Sequence, residues 1–503
     1  MHPFKRIGII GCGAMGRGIA QLFASAGIPV LLHDSRAQAI GQALAYNRQQ
    51  LERLASKGKL DAEALGVALA CQQAAPALAD LAGCDLLIEA IVEQLEAKQA
   101  LFRQLEALGG IDAVLASNTS SLSIGAIASG CQNPERVAGF HFFNPVPLMK
   151  IVEVVRGERT APEVIERLSR LAERAGHYAA VTPDSPGFLV NHAGRAYGPE
   201  ALRILAEGIA TPAQIDRILK DCLGFRMGPF ELFDLVGLDV SHAVMASMHH
   251  QFYQDPRYAP SPLVPPRLAA GLLGRKSGQG FYRYVDGVQQ APEPVPDAAV
   301  ALTRPFWLDS RDPSVREQVA SVLGRAGVCL EEGPQPSERA ICLVTPLGED
   351  ASTLIARKLL PPQRTLALET FAGFERRRVL MRQPALDAEV LAQARTALAG
   401  DGVAVEVIND SPGFIAQRVL ASIVNLGCEI AQRGIADPQT LDRAVQLALG
   451  YPHGPLAFGD HHGAELILQI LQGMHEAYQE PRYRVSPWLR RRVQLGLPLT
   501  APE

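Results

Sequence analysis

His141, in GFHFFNP, and Glu153, in KIVEVV, are twelve positions apart on two short apolar runs separated by Asn144, Pro145 and Pro147. Those three residues are turn formers. A hairpin-like return through them would bring the imidazole and the carboxylate together. A histidine can take a hydroxyl proton near neutral pH, and an ionised glutamate on its other ring nitrogen would orient it and favour the charged form. Ser120, in ASNTSSLSI, and Asn191, in DSPGFLVN, add polar groups where a core would prefer apolar ones. On spacing alone a structural His–Glu pair reads equally well, with Ser120 an ordinary turn hydroxyl and Asn191 a helix-surface amide.

A second chemical feature opens the chain. In IGIIGCGAMGRGIA the order is strand, glycine-rich turn, helix, with Gly11, Gly13 and Gly16 in GxGxxG spacing and Ala14 and Met15 opening the helix. The first glycine permits the tight turn, the second lets backbone approach a pyrophosphate, and the third allows close helix packing. The phosphates would sit at the helix's positive end. Asp34 ends the next strand-like run, where a carboxylate can bond an adenosine ribose and repel a 2′-phosphate. This favours NAD. Arg36 nearby complicates the choice against NADP, and the turn by itself does not exclude FAD.

The elements that must position these groups follow from patterning. Runs at 7–10, 30–33, 86–91, 114–116 and 137–142 read as strands, and 14–25 and 94–108 as helices. Their alternation implies an α/β unit with a parallel sheet, the Rossmann-type arrangement. From Ser185 the pattern turns helical as far as GRKSGQGFYRY. The Pro-rich VDGVQQAPEPVPDAAV then reads as a linker. DSPGFLVN recurs as DSPGFIAQ 226 positions on, and the same offset carries Gly224 to Gly450 and Asp234 to Asp460. The all-α domain is therefore duplicated, with a shortened α/β segment lacking GxGxxG between the copies. The expected division is a dinucleotide-binding domain at 1–183, a helical domain at 184–285, a linker at 286–300, a degenerate Rossmann-like segment at 301–405 and a second helical domain at 406–503.

Composition narrows the function classes. A net charge of −4 offers no basic field for nucleic acid. No run is long and apolar enough for a membrane span or a signal peptide. The eight cysteines are never closer than 13 positions, which excludes CxxC redox pairs and close-paired zinc motifs. A cytoplasmic protein with free thiols and no metal is expected.

These segments, with EAIVE, HFFNP, GPFEL and the late KSGQGFY, resemble the L-3-hydroxyacyl-CoA dehydrogenase family over about 285 residues. The resemblance implies reversible hydride transfer between C3 of a 3-hydroxyacyl-CoA and NAD, giving the 3-ketoacyl-CoA. It implies His141 as general base, Glu153 as its partner, and Ser120 and Asn191 holding the substrate oxygen and reacting atoms. Asn144 would lie near the nicotinamide, Glu93 and Lys98 would meet the cofactor ribose, Lys276 falls on the family's late lysine, and Lys57 would meet a CoA phosphate. The doubled tail is similar to that of the bacterial family members acting on 3-hydroxyadipyl-CoA in phenylacetate breakdown, with 3-hydroxybutyryl-CoA the alternative substrate.

In the second copy Gln417 replaces Asn191, Ala457 replaces Glu231, and no HFFNP precedes them, which argues against a second active site. The resemblance implies that the helical domain is similar to a dimerisation module, so a homodimer is expected in which the second copy also imitates a subunit contact inside one chain. Two further readings stand beside the enzyme: a silent NAD-binding scaffold, and an oxidoreductase with a lysine base acting on free hydroxy acids.

Overall fold

The computed structural model describes residues 4–290, 299–310 and 312–502. They form two units, the first running to His192 and taking in Arg433–Leu449, the second comprising Ala193–Gln432 and the chain from Gly450. The first unit is built on eight strands: β1 (Ile7–Ile10), β2 (Val30–His33), β3 (Gln72–Ala74), β4 (Leu86–Glu89), β5 (Val114–Ser117), β6 (Val137–Phe142), β7 (Ile151–Arg156) and β8 (Tyr178–Pro183), in the order β3-β2-β1-β4-β5-β6-β7-β8. Successive strand residues point to opposite faces. Ile7, Ile9, Leu86 and Ile88 therefore meet Ile19, Phe23, Leu168 and Leu171 on one side. Ile10, Leu87 and Leu115 meet Phe102, Leu105, Ile124 and Ile127 on the other. Burying each such side chain contributes roughly 1.5–3 kcal/mol, and with both faces covered the central strands are mostly apolar.

The expected parallel sheet needs one correction. β7 runs antiparallel to β6, because the turn at Asn144–Pro147 reverses the chain without a crossover helix. The strand expected over 86–91 ends at Glu89, and β3 and the helix Ala37–Ser56 were not anticipated. Only five of the helix's twenty residues are buried, and β3 is Gln-Gln-Ala, so neither carried a long apolar run.

In the second unit a short hairpin pairs β9 (Arg283–Val285) with β10 (Val288–Gln290), so part of the expected linker is strand, held by ladder bonds across Asp286–Gly287. The Pro-rich residues 291–298 lie outside those described. A six-stranded sheet follows, from β11 (Phe306–Asp309), β12 (Leu330–Glu331), β13 (Ile341–Val344), β14 (Thr365–Leu368), β15 (Arg378–Arg382) and β16 (Val405–Asn409), in the order β12-β11-β13-β14-β15-β16. Its last pairings repeat those of β6–β8: β14/β15 antiparallel, β15/β16 parallel.

The duplication is visible in hydrogen bonds. Asp184 accepts from Ser123 Oγ and the Gly125 N–H, and Asp410 accepts from the Ala351 and Ser352 N–H groups. Asp234 accepts from the Phe281 and Tyr282 N–H groups, and Asp460 from those of Leu499 and Thr500. This correspondence sets β13 against β5. Beside β13 the second sheet places β11, as the first places β4 beside β5, and β11 ends on Asp309, which pairs with Lys358.

The two helical copies exchange elements. Helix Pro438–Leu449 of the second copy lies in the first unit, where Tyr178 OH donates to Thr440 and Thr182 Oγ1 to the Ile435 carbonyl. In the second unit helix Pro212–Leu223 of the first copy meets β16 through Gln214 and Arg217, which donate to Val407 O and Glu406. Within that unit the copies also meet at Arg418, fully buried, which donates to Glu200 at 2.8 Å and Glu207 at 2.7 Å.

Candidate functional site

The glycine-rich turn has the shape a dinucleotide needs. Gly11 has φ +101°, a conformation that L side chains rarely adopt. A Cβ on Gly16 would fall 1.7 Å from the Gly11 carbonyl oxygen, so only glycine lets the helix approach its own turn. Nothing lies within 4 Å of where a Gly13 Cβ would be, and the helix Ala14–Ser25 starts there without a side-chain cap. Its first N–H groups are left for an anion. Asp34 accepts from the Cys12 N–H at 2.9 Å and the Arg36 N–H at 3.0 Å. Burial opposes its ionisation, but these bonds and the guanidinium hold the carboxyl below its ordinary value. The Arg36 side chain is 77% exposed, so the acid rather than the base is built into the turn.

The antiparallel register pairs His141 directly with Glu153. Nδ1 and Glu153 Oε2 are 2.5 Å apart, and Glu153 is fully buried. Its other oxygen accepts from the Leu189 and Val190 N–H groups at 2.9 and 2.8 Å. A carboxylate with both oxygens engaged cannot swing away from the ring. Phe143 and Phe188 flank the imidazole, their centroids 4.5 and 5.9 Å away. Asn191 follows at the start of the short helix Val190–Ala193, one residue after the N–H groups that hold Glu153.

Ser120 stands on the loop after β5. Glu93 Oε1 gathers that loop, accepting from Thr119 Oγ1 at 2.6 Å, Ser121 Oγ at 2.8 Å, and the Ser120 and Ser121 N–H groups at 3.0 and 3.1 Å. Burial opposes ionisation of Glu93, but the Lys98 ammonium and these donors keep its carboxyl below the ordinary value. Lys98 is 1% exposed between Glu89 and Glu93, a burial that no surface lysine motif announces. Asn118, not singled out in the sequence, accepts from the Phe142 N–H and ties this loop to the strand carrying His141. Its place inside ASNTSSLSI was the available signal.

A cavity of about 340 Å³ runs from Ala14 past Asn144 to Lys57. Arg17, Arg53 and Lys59 share it, and Arg17 lies over the Tyr46 ring. Sequence reasoning missed these three: Arg53 lies on the unanticipated helix Ala37–Ser56, Lys59 just beyond it, and Arg17 on the helix Ala14–Ser25 after the glycine turn, none within a motif. Lys276 is not among this group: it belongs to the second unit, where it pairs with Asp239 at 2.6 Å.

Comparisons with known proteins agree with this geometry. Residues 6–185 match the family description 3-hydroxyacyl-CoA dehydrogenase, NAD binding domain, and residues 187–284 and 413–500 each match 3-hydroxyacyl-CoA dehydrogenase, C-terminal domain. The 3-hydroxyadipyl-CoA dehydrogenase of Escherichia coli K12 is 36% identical over 505 aligned residues, covering 98% of both chains. The 3-hydroxybutyryl-CoA dehydrogenase of Bradyrhizobium diazoefficiens is 40% identical over 58% of this chain and 98% of its own length. A crystal structure described as 3-hydroxybutyryl-CoA dehydrogenase from Escherichia coli K12 superimposes with a TM-score of 0.85 at 35% identity, over 98% of this chain and 99% of that one.

Proposed function

We infer the roles of individual residues from the premise that this chain belongs to the 3-hydroxyacyl-CoA dehydrogenase family and is an NAD-dependent oxidoreductase. His141 is the general base, Glu153 its orienting partner, and Ser120 and Asn191 hold the substrate oxygen. The observation that carries this is the 2.5 Å contact of the ring with a carboxylate that is itself pinned by two backbone N–H groups.

Gly11, Gly13, Gly16 and Asp34 would hold NAD, which when bound would supply the acceptor for the hydride leaving C3. The C3 hydroxyl proton goes to Nε2 of His141, while Nδ1–H stays donated to Glu153, which stabilises the imidazolium as it forms. In the reverse direction the same nitrogen returns the proton to the ketone oxygen. Ala14, Met15, Glu93, Lys98 and Asn144 complete the cofactor contacts of this reading, and Lys276 is assigned to the cofactor from the family resemblance. Lys57, with Arg17, Arg53 and Lys59, supplies the positive charge that a CoA phosphate requires.

The acyl group is 3-hydroxyadipyl, a reading supported by the end-to-end match with a relative of that name; 3-hydroxybutyryl is the second reading, supported by relatives so named. Placement in phenylacetate breakdown or fatty-acid β-oxidation rests on those same names. The division at 183, 285, 300 and 405 belongs to this proposal, as does the second helical copy acting as an internal partner, supported by Arg418 and its two carboxylates. So does a cytoplasmic location, with which eight free cysteines agree.

The test is turnover of a thioester panel, including the adipyl and butyryl forms, with NAD and NADP. Preference for adipyl with NAD is expected, and preference for free hydroxy acids would overturn the substrate class. His141→Gln should lower turnover of acetoacetyl-CoA with NADH by roughly 10²- to 10⁴-fold. Full activity in that variant would overturn the assigned base.

A further inference from the structure

Glu89 closes β4 with its side chain fully buried. Oε1 accepts from Lys98 Nζ at 2.6 Å and the Ile91 N–H at 2.7 Å, and Oε2 from Ser117 Oγ at 2.6 Å. Lys98 bridges onward to Glu93 Oε2 at 3.2 Å, and Glu93 holds the Thr119–Ser121 loop. Ser117 Oγ accepts in turn from the Thr119 N–H at 3.2 Å, so Glu89 reaches the loop from both sides.

Burying a carboxylate and an ammonium, Glu89 and Lys98, is expensive, and well-packed apolar residues often do as well for stability. The second sheet shows that the fold does without this network. It repeats the β6–β8 pairings, and where β4 ends on Glu89 beside β5, β11 ends beside β13 on Asp309, whose partner Lys358 is 36% exposed rather than sealed. That is also the copy without HFFNP. The network accompanies the chemistry and not the sheet.

We propose that Glu89 is a positioning residue of the dehydrogenase: through Lys98, Glu93 and Ser117 it sets the loop that presents Ser120. It touches no reacting atom, and the inference rests on the reading that Ser120 holds the substrate oxygen. Its effect is geometric, since a displacement near 1 Å at a reacting centre can cost about 10²-fold in rate.

The test is a double-mutant cycle on kcat/KM for acetoacetyl-CoA, with NADH near saturation, using Glu89→Gln, Ser120→Ala and both together. Glu89→Gln keeps the shape and should lower kcat/KM by roughly 10- to 100-fold at an unchanged far-UV spectrum. In the Ser120→Ala background the same substitution should add less than about 3-fold. Full multiplication of the two losses, or an unaffected Glu89→Gln, overturns the positioning role. A Ser120→Ala enzyme with normal kcat/KM overturns the reading of Ser120, and with it the route from Glu89. Should Glu89→Gln not fold, Ser117→Ala, which cuts the other limb, takes its place in the same cycle with the same two outcomes.

Discussion

Glu369 occupies, in the second sheet, the register position that His141 holds in the first. Across β6–β8 His141 faces Glu153 and Val155 faces Thr182. Ile408, which is Thr182 displaced by the 226-residue repeat, faces Met381, and Leu380 faces Leu368. Counting from that anchor puts Glu369 at His141 and Val379 at Glu153, and the Glu369 N–H donates to the Val379 carbonyl. Gln417, at the position of Asn191, donates to Glu369 Oε1 at 3.0 Å and accepts from the Gly348 N–H. The repeat keeps the frame and replaces the imidazole–carboxylate pair by a buried acid–amide pair.

One reactive centre per chain follows. Glu369→Gln should leave kcat/KM for acetoacetyl-CoA within about twofold, and fluorescence titration should find one NADH per chain. Two nucleotides per chain, or a Glu369→Gln enzyme disabled like His141→Gln, would show that the second copy reacts.

Glu369 also sets a pH dependence. Burial pushes its carboxyl up to about 7, with the Gln417 and backbone donors opposing the shift, and Oε2 has no hydrogen-bond partner among the described residues. A carboxyl that holds its proton more tightly folded than unfolded stabilises the fold fully at low pH. That stability is lost as pH rises from its ordinary value towards 7, because over that range the unfolded chain gains by releasing the proton while the native state still holds it. Glu369→Gln removes the loss. Its melting temperature relative to wild type should rise between pH 5 and pH 8, by the equivalent of roughly 1–3 kcal/mol. Asp216, likewise pushed up to about 7, contributes the same sign to the wild-type curve and cancels in the difference. A difference independent of pH would contradict the buried-acid account.

For Glu153 the prediction concerns rate. Glu153→Gln keeps an acceptor for the Leu189 and Val190 N–H groups but cannot offer the ring a charge. Turnover should fall by roughly 10²- to 10⁴-fold, because the imidazolium loses its partner and the ring tautomer is no longer imposed. Retention of more than about a third of wild-type kcat across pH 6–9 would remove Glu153 from the mechanism.

Arg418 governs stability. Arg418→Met removes the nearest cation from Glu200, 2% exposed, and from Glu207, leaving Glu200 with Arg482 at 3.9 Å. Breaking a buried ion pair from one side typically costs about 3–5 kcal/mol. Urea unfolding should show that loss, and adding Glu200→Gln should restore part of it, since the stranded charge is then gone. A single variant as stable as wild type would mean that the contact between the helical copies does not depend on this cluster.

Much of the site was legible because its signals are local. GxGxxG between a strand and a helix has one efficient backbone solution, and two apolar runs around Asn144–Pro147 return on each other as a hairpin. Glu89 and Asn118 were not legible. Their importance lies in partners 9 to 28 positions away, and neither stands in a pattern that periodicity detects.

By itself the amino-acid order determined the dinucleotide turn, the presence of a histidine and a glutamate one hairpin apart, and the duplication of the helical module, since each depends on residues close in the chain or on an identical string repeated. Tertiary structure decided which oxygen of Glu153 meets the ring, that Lys98 is sealed between two carboxylates, and that each helical copy lends a helix to the opposite sheet. Those outcomes depend on burial and on partners distant in sequence, where the cost of an unpaired charge, rather than any local preference, selects the arrangement.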